Sequence, residues 1–368
     1  MRALLILGCI STLNFIITQM AFSATEESHG VILLYHHVAS DTPPSTSISP
    51  ENFRKHLEYL RDNEFNVIPL DQLVEDLRAG NPTPDKAVAI TFDDGYISIY
   101  EEAFPMLQSF DFPFTLFLST GPIDRSQNNY MTWNQIREMS DAGVIIANHM
   151  VEHPYMLEKY ANEDDEAWLQ RLESELISAE QRILDETGQT HRYLAYPYGE
   201  FDQGIKTMLA RNGFVGLAQN SGAVGVSSDF LALPRFPLAS IYANLETART
   251  KFDTKAFNVK LIEPLSPVTT SRAPKVSLQF AEGDYNISQI GCFANSQPLP
   301  MEWVDQENGI LTITPDQEFQ GRRWRYLCTA PAPAACAPAR QALNLRRARG
   351  GRCCRRAALQ ASLQSAAR

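Results

Sequence analysis

The chain has 368 residues, 44% of them hydrophobic and 20% charged, which excludes a disordered or fibrous protein and leaves room for one large domain and a smaller one. Its net charge of −11 is unevenly spread: residues 1–321 hold 21 basic and 43 acidic side chains, whereas from Arg322 onward there are 11 arginines and no acid. An acidic body of this kind argues against nucleic acid as the partner.

The first 23 residues combine one arginine, an apolar run and a small-residue end at Ala21-Phe22-Ser23. This reads as a secretory signal peptide over 1–23, an uncleaved anchor being the alternative. No later run approaches the ~20 apolar residues of a membrane span. The mature protein is therefore expected to be exported, periplasmic or extracellular, with no stable membrane insertion.

Over 29–260, short apolar strands alternate with amphipathic helices. The patterns predict strands at 31–38, 65–70, 87–94, 112–119, 144–149, 192–198 and 214–219, and helices at 50–62, 71–79, 97–109, 132–142, 164–187 and 202–212. The strongest helix, 164–187, places Trp168, Leu172, Leu176, Ile183 and Leu184 mostly on one face, and Gly188 ends it. Such alternation predicts an α/β fold with a parallel sheet, and about seven units favour closure into a barrel. Active groups in either architecture sit at the C-terminal strand ends. Polar residues collect there: His36/His37, Asp93/Asp94, Asn148/His149 and Tyr196/Tyr198.

A proline-marked linker is expected at 261–274 and a small all-β domain at 275–330, where Cys292 and Cys328 are candidates for a disulfide. The cluster Phe293, Trp303 and Trp324 reads equally as core or as a sugar platform. The Ala/Arg-rich segment 331–368 matches nothing upstream and is expected to be disordered or out of frame.

Two stretches carry chemistry. TFDDG (91–95) sets adjacent carboxylates at a strand end, an arrangement tolerated when a cation binds one and the other works as a base. In HMVEH (149–153) two histidines stand four apart, which suits one metal ion. The same letters match an inverted peptidase motif with Glu152 as base. That reading needs a helix, whereas the β-branched VIIAN before it and Pro154 after it favour a strand running into a loop. Glu152 is thus expected to be a solvated loop residue. Asp94, His149 and His153 would hold one divalent ion, zinc first, with nickel, cobalt or iron as alternatives, and Asp93 would take the proton of a water.

TFDDG, then H-x-x-x-H-P (149–154), then YPYG (196–199), on alternating strands and helices, resembles the polysaccharide deacetylases with the NodB homology domain, carbohydrate esterase family 4. The resemblance covers about residues 30–240. It implies a distorted (β/α) barrel and metal-dependent hydrolysis of N-acetyl groups on sugars, with an N-acetylated polysaccharide as the partner. Asp93 resembles the catalytic base, and Asp94, His149 and His153 the metal triad. Pro197 and Tyr198 lie in the third motif, whose backbone N–H would stabilise the oxyanion. Three departures stand out: Met150 replaces a usual Ser or Thr, Ala195 replaces an arginine that supports the base, and no histidine follows residue 191. Arg235 is a candidate substitute for that arginine, a surface salt bridge being the other reading. LLYHHV resembles the branch acting on poly-β-1,6-N-acetylglucosamine, where a Tyr-His pair lies at the site. His36 would then serve the leaving amine, with His37 pointing the other way. The resulting expectation is an N-deacetylase of N-acetylglucosamine polysaccharide. Its rivals are an O-deacetylase on an acetylated glycan and a non-catalytic carbohydrate-binding protein with a decayed site.

Overall fold

The computed structural model of the chain describes residues 28–283, 285–321 and 323–332, and the backbone of 356–365. The expected signal peptide at 1–23 lies outside the described residues. Six parallel strands form the centre: β1 His29–Tyr35, β2 Ala87–Phe92, β3 Phe114–Leu118, β4 Ile145–Asn148, β5 Tyr193–Ala195 and β6 Val215–Leu217. They lie side by side in chain order. Residues from Gly30 through β1 and all of β2 are buried, which is why they read as unbroken apolar runs rather than alternating ones.

Six helices cover this sheet: α1 Pro50–Asp62, α2 Leu70–Ala79, α3 Phe104–Phe110, α4 Trp133–Asp141, α5 Asp165–Thr187 and α6 Gln203–Arg211. Each starts where the local chemistry allows it. Ser49, Thr132, Asp164 and Asp202 accept backbone N–H bonds as N-caps of α1, α4, α5 and α6. Helix α5 ends at Gly188, whose φ of 73° suits a residue without Cβ. Its Trp168, Leu172, Leu176 and Ile183 are buried, while Leu184 is left 37% exposed. Burying such side chains contributes about 1.5–3 kcal/mol each, which holds the helix against the barrel. The strand expected at 65–70 shrinks to Asn66–Val67, because Pro69 caps α2 directly after it. The helix expected at 97–109 begins as a wide turn at Ile99–Ala103 before α3.

No full strand fills the gap between β6 and β1. A short segment does so instead. Leu233 bridges to β6 through Leu233 N–H to Gly216 O and Ala218 N–H to Leu233 O, both 2.8 Å. Three residues later, Phe236 and Pro237 pair in parallel with Leu33 and Leu34 of β1. The sheet is therefore a distorted barrel, and Arg235 lies at the middle of its closing segment.

The second unit is all β. One of its sheets joins Val259–Glu263, Val276–Phe280, Ile310–Ile313 and Met301–Asp305. Residues 261–263 of the expected linker thus belong to a strand. The other sheet contains Gly291–Ala294 and Arg323–Pro331, tied by the Cys292–Cys328 disulfide. Trp324 is core, packed with Phe319 and Tyr326, so it offers no platform for a sugar. In the arginine-rich tail, Arg356–Ser365 pairs antiparallel along Arg323–Pro331, an element that composition did not suggest.

Candidate active site

The site lies at the C-terminal ends of β1, β2, β4 and β5. Four of its residues hold left-handed backbone that side chains other than glycine rarely adopt: Asp94 at φ 77°, Met150 at 68°, His153 at 51° and Tyr198 at 56°. Strain concentrated in this way is characteristic of functional loops, where the surrounding packing must hold it. Met150, which stands where a Ser or Thr was expected, does part of that holding. It is fully buried in an apolar cluster with Met156, Trp168, Leu172 and Tyr196.

Asp94, His149 and His153 converge, with candidate ligand atoms all within 4.8 Å of one another. His149 Nε2 stands 3.2 Å, and His153 Nε2 3.3 Å, from the same Asp94 Oδ1. Strand β5 fixes one ring: His149 Nδ1 lies 2.7 Å from Ala195 O, so it carries the proton and donates. That leaves Nε2 as the atom facing the carboxylate. It is fully buried and makes no well-formed hydrogen bond, despite the short distance to Asp94. Two imidazole nitrogens aimed at one carboxylate oxygen are poorly served by a proton and well served by a cation. Burial, with the neighbouring His149 charge, pushes His153 down to about 4, so near neutral pH it offers a lone pair. For Asp94, burial acts upward, but the nearby His149, His36 and His153 hold it far below the usual carboxylate range. The donor set fits a divalent transition ion.

Asp93 sits behind this cluster and is fully buried. Both of its oxygens accept from Arg235, Oδ1 from Nη1 and Oδ2 from Nη2, each at 2.7 Å. Arg235 is also fully buried. Its Nε donates to Ala218 O at 2.9 Å, and Nη1 reaches Thr91 Oγ1 at 3.2 Å. Burial would raise the Asp93 pKa, yet the charges of Arg235 and His149 and the Arg235 hydrogen bonds outweigh it and keep the carboxyl below its ordinary range. Arg235 faces Asp93 from inside the barrel, neither lining the cleft nor making a surface salt bridge.

The other expected residues separate into two groups. His36, Asp94, His153 and Tyr198 line one cleft of about 940 Å³. Tyr198 is wedged between Tyr155, stacked at 4.0 Å, and the edge of His153 at 4.4 Å. Pro197 is buried beside it. His37 turns away from His36 and stacks on Tyr96 at 3.7 Å. The remaining polar strand-end residues are structural. Asn148 bonds to Leu176 O and Glu180, and the Tyr196 hydroxyl to Leu231 O. Tyr35, the tyrosine before His36, is buried, with its hydroxyl 3.0 Å from His56 Nδ1, and takes no part in the cleft. Alternation explains it: adjacent strand residues face opposite sides. Glu152 lines the same cleft but is half exposed and forms a fork with Arg125 at 2.6 and 2.8 Å.

One wall of the cleft was not legible from the motifs. Arg323, Arg325, Leu327 and Thr329 of the β domain line it. Arg323 donates to Tyr198 O at 3.0 Å and pairs with the buried Glu200, so the second domain braces the third motif.

Comparison with known proteins agrees with this geometry. Residues 80–217 match the family described as Polysaccharide deacetylase. The poly-beta-1,6-N-acetyl-D-glucosamine N-deacetylase of Escherichia coli (strain K12) is 29% identical over 148 residues, which make up 36% of this chain and 22% of that protein. The protein of the same name from Staphylococcus epidermidis is 25% identical over 229 residues, 57% of this chain and 79% of the other. The solved structure of IcaB from Ammonifex degensii matches with a TM-score of 0.51 at 25% identity, over 59% of this chain and 98% of that one. The Streptococcus pyogenes deacetylase PplD, at 22% identity, shares the fold with a TM-score of 0.55 over 61% of this chain and 99% of its own. With its motifs gathered at one end of a distorted barrel, the chain is similar to the polysaccharide deacetylases, whose family model it matches over residues 80–217.

Proposed function

We propose that the protein is an exported, metal-dependent N-deacetylase of an N-acetylglucosamine polysaccharide, releasing acetate and leaving an amine on the sugar. The observation that carries this reading is the division of labour between two adjacent carboxylates. Asp94 faces two histidine nitrogens, while Asp93 is clamped by Arg235. Asp94, His149 and His153 would hold the ion, with zinc the first candidate. When bound, a divalent cation supplies a Lewis acid for the acyl oxygen and for water.

The remaining steps belong to the chain. Asp93 stays ionised beside Arg235 and keeps lone pairs beyond the two that accept from the guanidinium. It takes the proton of the attacking water, whose oxygen bonds to the acetyl carbon. The C–N bond then breaks, and the departing nitrogen takes a proton from His36, the only histidine besides His153 that lines the cleft among the described residues. The backbone N–H of Tyr198 offers a hydrogen bond to the developing oxyanion. Export is supported by the character of residues 1–23, and among the described residues no helix is long and apolar enough to cross a membrane.

The test is acetate release from a panel of N-acetylglucosamine polymers, run on purified protein, after chelation and after adding back zinc, nickel, cobalt or iron. Release that chelation stops and metal restores is the expected result. Faster release from O-acetylated than from N-acetylated glycans would turn the assignment to the O-deacetylase. No release from either, with metal bound, would leave a carbohydrate-binding protein. D93N is expected to bind metal as the wild type does and to lose turnover.

A further inference from the structure

The β-domain wall of the cleft carries charge that the hydrolysis of a neutral acetamide does not use. Arg325 lines the cleft, stays solvent-exposed and has no carboxylate partner among the described residues. Nearby, Lys251 of the barrel unit lines the same cleft. Its ammonium donates to Pro237 O at 3.2 Å and lies 3.8 Å from the centre of the Tyr242 ring, again with no carboxylate among the described residues. The two cations share one neighbourhood: Arg325 feels the charges of Arg323 and of Tyr242, the ring that Lys251 covers. Arg323 differs in being committed to Glu200 and Tyr198 O. Burial without a compensating anion pushes Lys251 down to about 7.

A partly buried cation such as Lys251 is costly unless something neutralises it. Lys251 stands in the acidic stretch 1–321, which holds 43 acidic against 21 basic side chains, yet none of those acids pairs with it among the described residues. The surrounding groups, Tyr242, Thr250 and Thr254, offer a ring face and hydroxyls of the kind that accompany a sugar.

We propose that Arg325 and Lys251 form a subsite for an acidic sugar residue, so that the preferred substrate is a glycan in which N-acetylhexosamine units are accompanied by anionic ones. The inference rests on the deacetylase reading of the same cleft and narrows its substrate class. Arg325 supplies a planar fork for a carboxylate or a phosphate ester, and Lys251 a point charge on its flank. The β domain thus contributes specificity, and the barrel contributes the reaction.

The experiment compares three N-acetylglucosamine substrates of similar length on full-length protein: a neutral oligomer, one alternating with glucuronate, and one carrying phosphodiester links. Acetate release from the neutral oligomer tests the deacetylase reading by itself. The subsite predicts a KM for at least one acidic substrate about tenfold below that of the neutral one, with the advantage shrinking as salt rises. Which acidic arm gains identifies carboxylate or phosphate as the recognised group. R325A and K251A should each raise KM for that substrate several-fold, with kcat and the neutral-substrate KM unchanged. Calorimetric titration of the acidic oligosaccharide into D93N reads the same preference without turnover. Equal KM values for neutral and acidic substrates, or variants that weaken both alike, would overturn the subsite while leaving the deacetylase standing.

Discussion

Replacing Arg235 with methionine probes the element that ties fold to chemistry. The guanidinium makes two 2.7 Å bonds to Asp93 and further bonds to Thr91 Oγ1 and Ala218 O. Both charged partners are fully buried. Methionine fills much of the volume but leaves a carboxylate sealed in the barrel with no counter-charge. Breaking a buried ion pair from one side costs about 3–5 kcal/mol. Urea unfolding followed by fluorescence is expected to show a loss in that range. Arg235 does not reach the cleft, so the surviving folded R235M should lose kcat with little change in KM. R235K should recover part of the stability and less of the rate, because an ammonium cannot make the fork. The double variant D93N/R235M removes both charges, and its loss should fall well short of the sum of the single ones. An R235M protein that unfolds within 1 kcal/mol of wild type, or that turns over normally, would refute the clamp.

Three further outcomes follow from the geometry. E152Q should keep acetate release and metal content, since the Glu152 side chain is half exposed and, among the described residues, ion-pairs only with Arg125; its stability should change by less than about 1 kcal/mol. Replacing Cys292 and Cys328 with serine opens a loop spanning a separation of 36 residues and should cost the β domain about 4 kcal/mol, read by urea unfolding and by a rise in KM as the cleft wall loosens. Burial pushes His56 from 6.5 down to about 4, only partly offset by the Ala243 carbonyl. Its folded pKa is therefore depressed, and the unfolded chain takes up the proton first. Stability from this group is complete above about pH 6.5 and falls as pH drops toward 4, by about 2 kcal/mol between pH 7.5 and pH 5. H56Q should flatten that part of the acid profile relative to wild type.

How much of this was legible in the sequence depends on whether a feature is local. The strands at β1 to β6 and the six helices could be read because burial on both faces writes continuous apolar runs and one-sided burial writes a helical period. Asp94, His149 and His153 could be read because each motif is a short word at a strand end. The partner of Asp93 could be only half read. Ala195 showed that the expected arginine was missing, but 142 residues separate Asp93 from Arg235. Only barrel closure, through Leu233 against β6 and Phe236 against β1, brings the two together. The same limit hid the Tyr35–His56 bond and the arginine wall, since nothing in RRWRYLCT says that its exposed face turns toward a cleft more than a hundred residues upstream in the chain. The alternation of Trp324, Tyr326 and Cys328, all buried, with Arg323 and Arg325, both exposed, was nevertheless present. One face of that strand builds the β-domain core, and the other is free to carry charge to the barrel. A strand committed to core packing on alternate residues holds its intervening side chains in fixed places at little extra cost. This is a physical reason for the proposed specificity wall to sit on the β domain rather than on the strained loops that carry Asp94, His153 and Tyr198.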